Sequence, residues 1–131
     1  MKNKQKQGQL RDVQDVLDII GGRWRGAILA SLCDKPKRFN DLKRDLGSIT
    51  PRILTQELKY LEMSKLLIRE AEGGNAIAVT YSLTPHGYSL DPLISQIVAW
   101  GRKHRAVIFE EKPTASTLSD NENAVFYAKN A

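Results

Sequence analysis

Apolar positions recur along this chain with two periods, one helical and one extended. Between Asp12 and Ile20, Val13, Val16, Leu17 and Ile20 return at helical spacing, and Gly21-Gly22 stops the pattern. A second helix is expected over about Trp24 to Leu32, with Ala27, Ile28 and Leu32 inward, ending in the turn Cys33-Asp34-Lys35-Pro36. Residues 36–39 read as a short edge strand or an extended link. Asn40 then stands where a cap is needed, Asp41 suits a first helical turn, and Phe39, Leu42 and Leu46 share one stripe. Gly47 closes that helix. In Ser48-Ile49-Thr50-Pro51, Thr50 is a good cap and Pro51 a good first residue, because that position needs no amide partner. The helix it opens is predicted to reach about Met63, burying Leu54, Leu58 and Leu61.

The period then changes. LLIREA at 66–71 and IAVTYSL at 77–83 read as strands, rich in β-branched and aromatic residues, around the hairpin turn Glu72-Gly73-Gly74-Asn75. Thr84-Pro85 opens a last helix predicted to run to about Phe109, with Pro92 as a point of kinking or breakage. Its apolar positions are Leu90, Leu93, Ile94, Ile97, Val98 and Trp100. Residues 1–10 read as a flexible polar arm, 11–110 as one domain, and 111–131 as a tail, flexible or partly docked. Four helices, a two-stranded hairpin and a final helix make a mainly α protein with a small β-hairpin, a winged helix-turn-helix.

Composition narrows the partners. The chain of 131 residues is 41% hydrophobic and 27% charged, a balance that folds. No apolar run is long enough for a membrane span, and MKNKQKQGQL has no apolar stretch after it, so it does not read as a secretory signal. A single cysteine, Cys33, leaves no intrachain disulfide and fits a reducing cytoplasm. The net charge is +5, and eight bases fall between Lys35 and Lys65 against four acids. That excess sits where helices are joined by tight turns, which points to a polyanion, double-stranded DNA.

The helix from Pro51 has the two faces that groove reading needs. Leu54, Leu58 and Leu61 anchor it, while Arg52, Thr55, Gln56 and Lys59 lie largely opposite. Arg52 can pair with guanine, Gln56 with adenine, and Thr55 can meet a thymine methyl or a phosphate. Lys59 is placed for phosphate, as are Lys37, Arg38, Asn40, Lys43 and Ser48 around the preceding helix. Thr50 is read first as a cap and second as a phosphate contact. Arg69 at the base of the hairpin is the better electrostatic contact there, because the tip, Gly73, Gly74 and Asn75, carries no base.

These segments resemble the HxlR family of winged-helix regulators, relatives of the MarR type. The resemblance covers about Asp12 to Arg105 and is carried by LDIIGGRW at 17–24, RFNDLKRDLGSITPRILTQELKYLE at 38–62 and YSLTPHG at 81–87. It implies a homodimer whose first and last helices meet, binding to inverted repeats, and control of nearby genes. It further implies that Ser48, Thr50, Arg52, Thr55, Gln56 and Lys59 form the major-groove group and that Arg69 and residues 73–75 form the wing. Dimer contacts are expected from Val13, Val16, Leu17 and Ile20 and from Leu90, Leu93, Ile94, Ile97, Val98 and Trp100. Several members sense oxidants through a cysteine just before the first helix; here Arg11 stands near that place, and Cys33 is read as a structural thiol.

Other classes find little support. The two histidines, His86 and His104, sit in no metal-ligand spacing, and neither a phosphate-binding glycine loop nor a nucleophile elbow is present. No cofactor and no enzyme activity are expected. A winged-helix module that binds only protein is the alternative, and weak, salt-independent DNA binding would mark it. A small-molecule effector is admitted as a partner, but no residue names one.

Overall fold

A computed structural model describes residues 2–71 and 78–110. In chain order the elements are α1 (Lys2–Ile20), α2 (Arg25–Asp34), β1 (Lys37–Arg38), α3 (Phe39–Leu46), α4 (Pro51–Met63), β2 (Leu67–Ala71), β3 (Val79–Leu83), α5 (Pro85–Tyr88) and α6 (Asp91–Phe109). Two compact units divide the chain, Met1–Ile94 and Ser95–Ala131. The first holds the core and all three strands; the second holds most of α6.

The core is aliphatic. Ile28, Leu29 and Leu32 of α2, Leu42 of α3, and Leu54, Leu58 and Leu61 of α4 are buried with Ile49, Leu66, Leu67, Leu83 and Ile94. Burying each such side chain stabilises the fold by about 1.5–3 kcal/mol over leaving it in water. The sheet is antiparallel in the order β1-β3-β2. Leu67 pairs with Leu83 and Arg69 with Tyr81, while Lys37 and Arg38 of β1 face Tyr81 and Thr80. The expected hairpin is therefore extended by a third, two-residue strand. The turn residues Gly73, Gly74 and Asn75 lie outside the described residues.

Five local expectations need correction. First, α1 starts at Lys2, not near Asp12, so the expected arm at 2–10 is helical. Its lysines and glutamines are good helix formers without being apolar, so apolar periodicity does not register them. Second, Ala27 is exposed and Leu29 is fully buried. Where two faces of α2 compete, the one carrying the larger apolar group goes inside. Third, Asn40 does not cap α3. Pairing of Arg38 with Thr80 keeps the chain extended only to Arg38, and the helix begins at Phe39, whose ring packs on the core.

Fourth, the last helical stretch is two helices. Thr84 caps the short α5, the chain turns at Ser89 and Leu90, and Pro92 falls in the first turn of α6, where a missing amide is tolerated. Fifth, Ile94 is 5% exposed in the chain's own core and offers nothing to a second copy. Ile20 and Leu90 also pack partly against that core.

Candidate DNA interface

The site begins with a turn between α3 and α4. Gly47 takes a φ of 76°, which only glycine adopts at low cost, and its amide donates to the Lys43 carbonyl at 3.0 Å. Buried Ile49 pins the turn to the core. Thr50 Oγ1 then accepts the Ile53 amide at 3.2 Å, and Pro51 follows at the first helical position. The start of α4 is thus set by a left-handed glycine, an apolar anchor and a side-chain cap within four residues.

Its end is set as firmly. The Leu66 amide donates to the Leu61 carbonyl and the Lys65 amide to the Glu62 carbonyl, both at 3.0 Å, with Lys65 at a φ of 64°. This is a Schellman closure in which Leu61 and Leu66 supply the apolar contact. Thr84, after the returning strand, donates from Oγ1 to the Lys65 carbonyl at 2.7 Å and accepts the Gly87 amide at 2.9 Å. A methyl group at Gly87 would stand 2.1 Å from the Leu66 carbonyl oxygen, so the YSLTPHG segment needs glycine there. Both strands at the base of the hairpin, β2 at its start and β3 at its end, therefore close onto the last turn of α4.

Between those ends, Leu54, Leu58 and Leu61 are buried while Arg52, Thr55, Gln56 and Lys59 are all exposed. With about 100° of rotation per residue, the four polar residues occupy the side facing away from the leucines. Thr55 Oγ1 donates to the Pro51 carbonyl at 2.8 Å, which occupies its proton and leaves the methyl as its outward chemistry.

The flanking residues fall into two groups. Arg38 and Asn40, and Arg69 from a distant strand, line one cavity of about 400 Å³ together with Phe39, Asp41, Val79 and Tyr81. Ser48 is exposed and Lys43 half-buried. Lys37 departs from expectation. Its Nζ bonds to Asp45 and, at 3.0 Å, to Ser31 Oγ, with Asp34 at 3.8 Å, and its side chain is only 11% exposed. It ties α2, β1 and α3 together and is not presented to a phosphate. Arg44 pairs with Asp41 on the surface of α3. The basic excess read from the sequence is thus partly spent inside the protein.

An exposed polar helix held between a capped turn and a sheet is the geometry of a winged helix-turn-helix. A model of HxlR-like helix-turn-helix proteins matches residues 19–108. The chain belongs to the HxlR family. Relatives include the HTH-type transcriptional regulator YybR of Bacillus subtilis, 40% identical over 73% of this chain and 77% of that relative. The reduced form of the redox regulator HypR superposes with a TM-score of 0.70 at 39% identity, covering 74% of this chain and 96% of that one. Quinone-bound YodB of B. subtilis superposes with a TM-score of 0.61 at 28% identity, over 71% and 98% of the two chains. As an HxlR-type protein the chain is a DNA-binding transcriptional regulator and not an enzyme. Among the described residues, no cluster of three or more potential ligands could hold a metal, and no helix is long and apolar enough to cross a membrane.

Two features outside the reading face escaped sequence reasoning. One is Arg25, in the first turn of α2, whose guanidinium reaches α1 and α4 at once. The other is the environment of Cys33. Burial pushes its thiol above the usual range, and the charge of Asp91 and a hydrogen bond to it add to that effect. A thiol held neutral in this way is a poor nucleophile.

Proposed function

We propose that this HxlR-type regulator is a homodimeric repressor that binds inverted-repeat operators in double-stranded DNA. The carrying observation is the face of α4, with Arg52, Thr55, Gln56 and Lys59 exposed opposite three buried leucines. Arg52 and Gln56 read guanine and adenine edges, and the Thr55 methyl meets thymine. Lys59, Ser48, Lys43, Arg38, Asn40 and Arg69 take the phosphate backbone, with Thr50 contributing mainly through its cap. The turn at Gly73, Gly74 and Asn75 follows the adjacent groove.

Apolar exposure supports the dimer. On α1, Val13 and Leu17 are about half exposed; Val16 is partly covered. On α6, Leu93, Ile97, Val98 and Trp100 are each 40–45% exposed. Solvent-facing stripes of this kind on helices mark surfaces that another chain covers. A dimer of this size represses by occluding a promoter. Control by a small molecule is in keeping with the oxidised and quinone-bound forms of HypR and YodB. Cys33 is left out of that control because it is read as a structural thiol packed partly against the core, and Arg11 stands near the place where sensing members carry their cysteine.

Duplexes selected from genomic fragments of the source organism supply the operator. Arg52→Ala or Gln56→Ala should then cost about 1–3 kcal/mol of preference for operator over random duplex. Lys59→Ala should weaken both evenly and lower the salt slope by about 0.9. Unchanged preference in both Arg52 and Gln56 variants would remove the base-reading assignment.

A further inference from the structure

Arg25 joins three helices through one guanidinium. Its Nε donates to Glu57 Oε2 at 2.7 Å, and a terminal nitrogen donates to the Asp18 carbonyl at 2.8 Å. The plane also lies over the Tyr60 ring, 3.6 Å from its centroid. Tyr60 closes the loop by donating its hydroxyl to the same Asp18 carbonyl at 3.3 Å. Glu57 and Tyr60 belong to α4, on the flank between its buried leucines and its polar face. Asp18 belongs to the last turn of α1.

The balance of other contacts gives this cluster its weight. No residue of α1 is fully buried, and only Ile19 and Ile20, at its end, pack against the core. The angle at which α1 leaves the domain is therefore set near Asp18. A guanidinium suits that task. It is planar, always charged, and can donate in its plane to a carboxylate and a carbonyl while its face stacks on an aromatic ring, a combination that a tetrahedral ammonium lacks. Side-chain exposure of 27% for Arg25 and 23% for Glu57 places the pair at the boundary of the protein, where water competes only in part.

We propose that Arg25 is a positioning residue for operator recognition: it fixes the recognition helix α4 relative to α1, and so sets the separation and tilt at which a dimer presents its two reading faces. The proposal rests on the dimer reading above, with α1 in the interface. Arg25 reads no base and meets no phosphate in this role. Its loss leaves each reading face chemically complete and loosens the register between two of them.

The test compares two duplexes. One carries the inverted repeat recovered by genomic selection; the other has one half scrambled. Native protein should gain strongly from the second half-site, because linked binding raises the effective concentration. Arg25→Met, which keeps much of the side chain's bulk, should bind the single half-site within about twofold of native and lose about tenfold or more of the second-site gain. It should also tolerate spacers one base pair longer or shorter that native protein rejects. Arg25→Lys should fail to restore the native behaviour. Glu57→Gln should show a smaller loss in the same direction, and adding it to Arg25→Met should change nothing further. Thermal unfolding confirms that each variant is folded, and Glu57→Gln carries the test should Arg25→Met not fold. Equal losses on both duplexes, or a native spacer profile in folded variants, overturn the proposal and leave the dimer reading standing. No second-site gain in native protein removes the dimer reading and this proposal with it.

Discussion

Lys37 shows how a single side chain can change meaning once its neighbours are known. In sequence it is one more base in a basic stretch. In the fold its ammonium is surrounded by Asp45, Ser31 and Asp34, and it holds three elements in place. The partner carboxyl feels this. The hydrogen bond from Lys37, followed by that from Ser31, holds Asp45 below the usual carboxylate range. A carboxyl whose folded pKa is depressed adds stability above its unfolded pKa, about 3.9, and loses it as pH falls through the folded value. Asp45→Asn should therefore be less stable than native protein at neutral pH, by a modest amount because the Asp45 carboxylate is exposed to solvent. The gap should shrink as pH falls below the unfolded value. Denaturant unfolding of both proteins across that range checks this, and a gap independent of pH would show that the ion pair contributes nothing. Lys37→Ala should likewise act on stability and leave the salt slope of DNA binding unchanged.

At the scale of elements, α4 is the part most legible from sequence. A capping threonine, an N-terminal proline and three leucines at helical spacing are local signals, and each acts where it is read. Its exit was not legible. Lys65 takes a left-handed backbone that lysine does not favour, because closure over buried Leu61 and Leu66 demands it. Lys65→Gly should relieve that strain and raise stability by about 1 kcal/mol. It would appear as a higher denaturant midpoint at unchanged slope, and a lower midpoint would mean that the strain is negligible beside the flexibility glycine adds. The first half of α1 was missed because a polar helix leaves no periodic trace. The ion pair of Lys37 and the Arg25 cluster were missed because their partners lie on other elements, up to 42 residues away in the case of Tyr60 and Asp18. Arg38, Asn40 and Arg69 were each singled out by charge or polarity, but only the sheet, by pairing β1 and β2 with the same strand, brings them to one cavity.

For the whole molecule, the proposed dimer carries the strongest consequence. Two recognition helices related by a two-fold axis meet major grooves about 34–36 Å apart on one side of DNA. Ile97→Asp puts a charge on an exposed apolar stripe of α6, and burying that charge in an interface is costly. The variant should be monomeric across a concentration series, keep its helical signal, and lose about a hundredfold or more in operator affinity. Sedimentation of native and variant protein, free and with a palindromic duplex, measures both. Native protein that stays monomeric and binds one chain at a time would end the dimer reading.

The division of α4 into a buried leucine face and an exposed polar face also bears on how such a regulator can change over generations. The residues that hold the helix and those proposed to touch bases are different residues. Exposed positions away from special contacts usually shift stability by no more than about 0.5 kcal/mol. A duplicated gene could thus acquire a new operator through substitutions at positions 52, 55 and 56 while its fold stayed intact. Innovation in DNA address and robustness of the scaffold are, in this architecture, nearly independent traits.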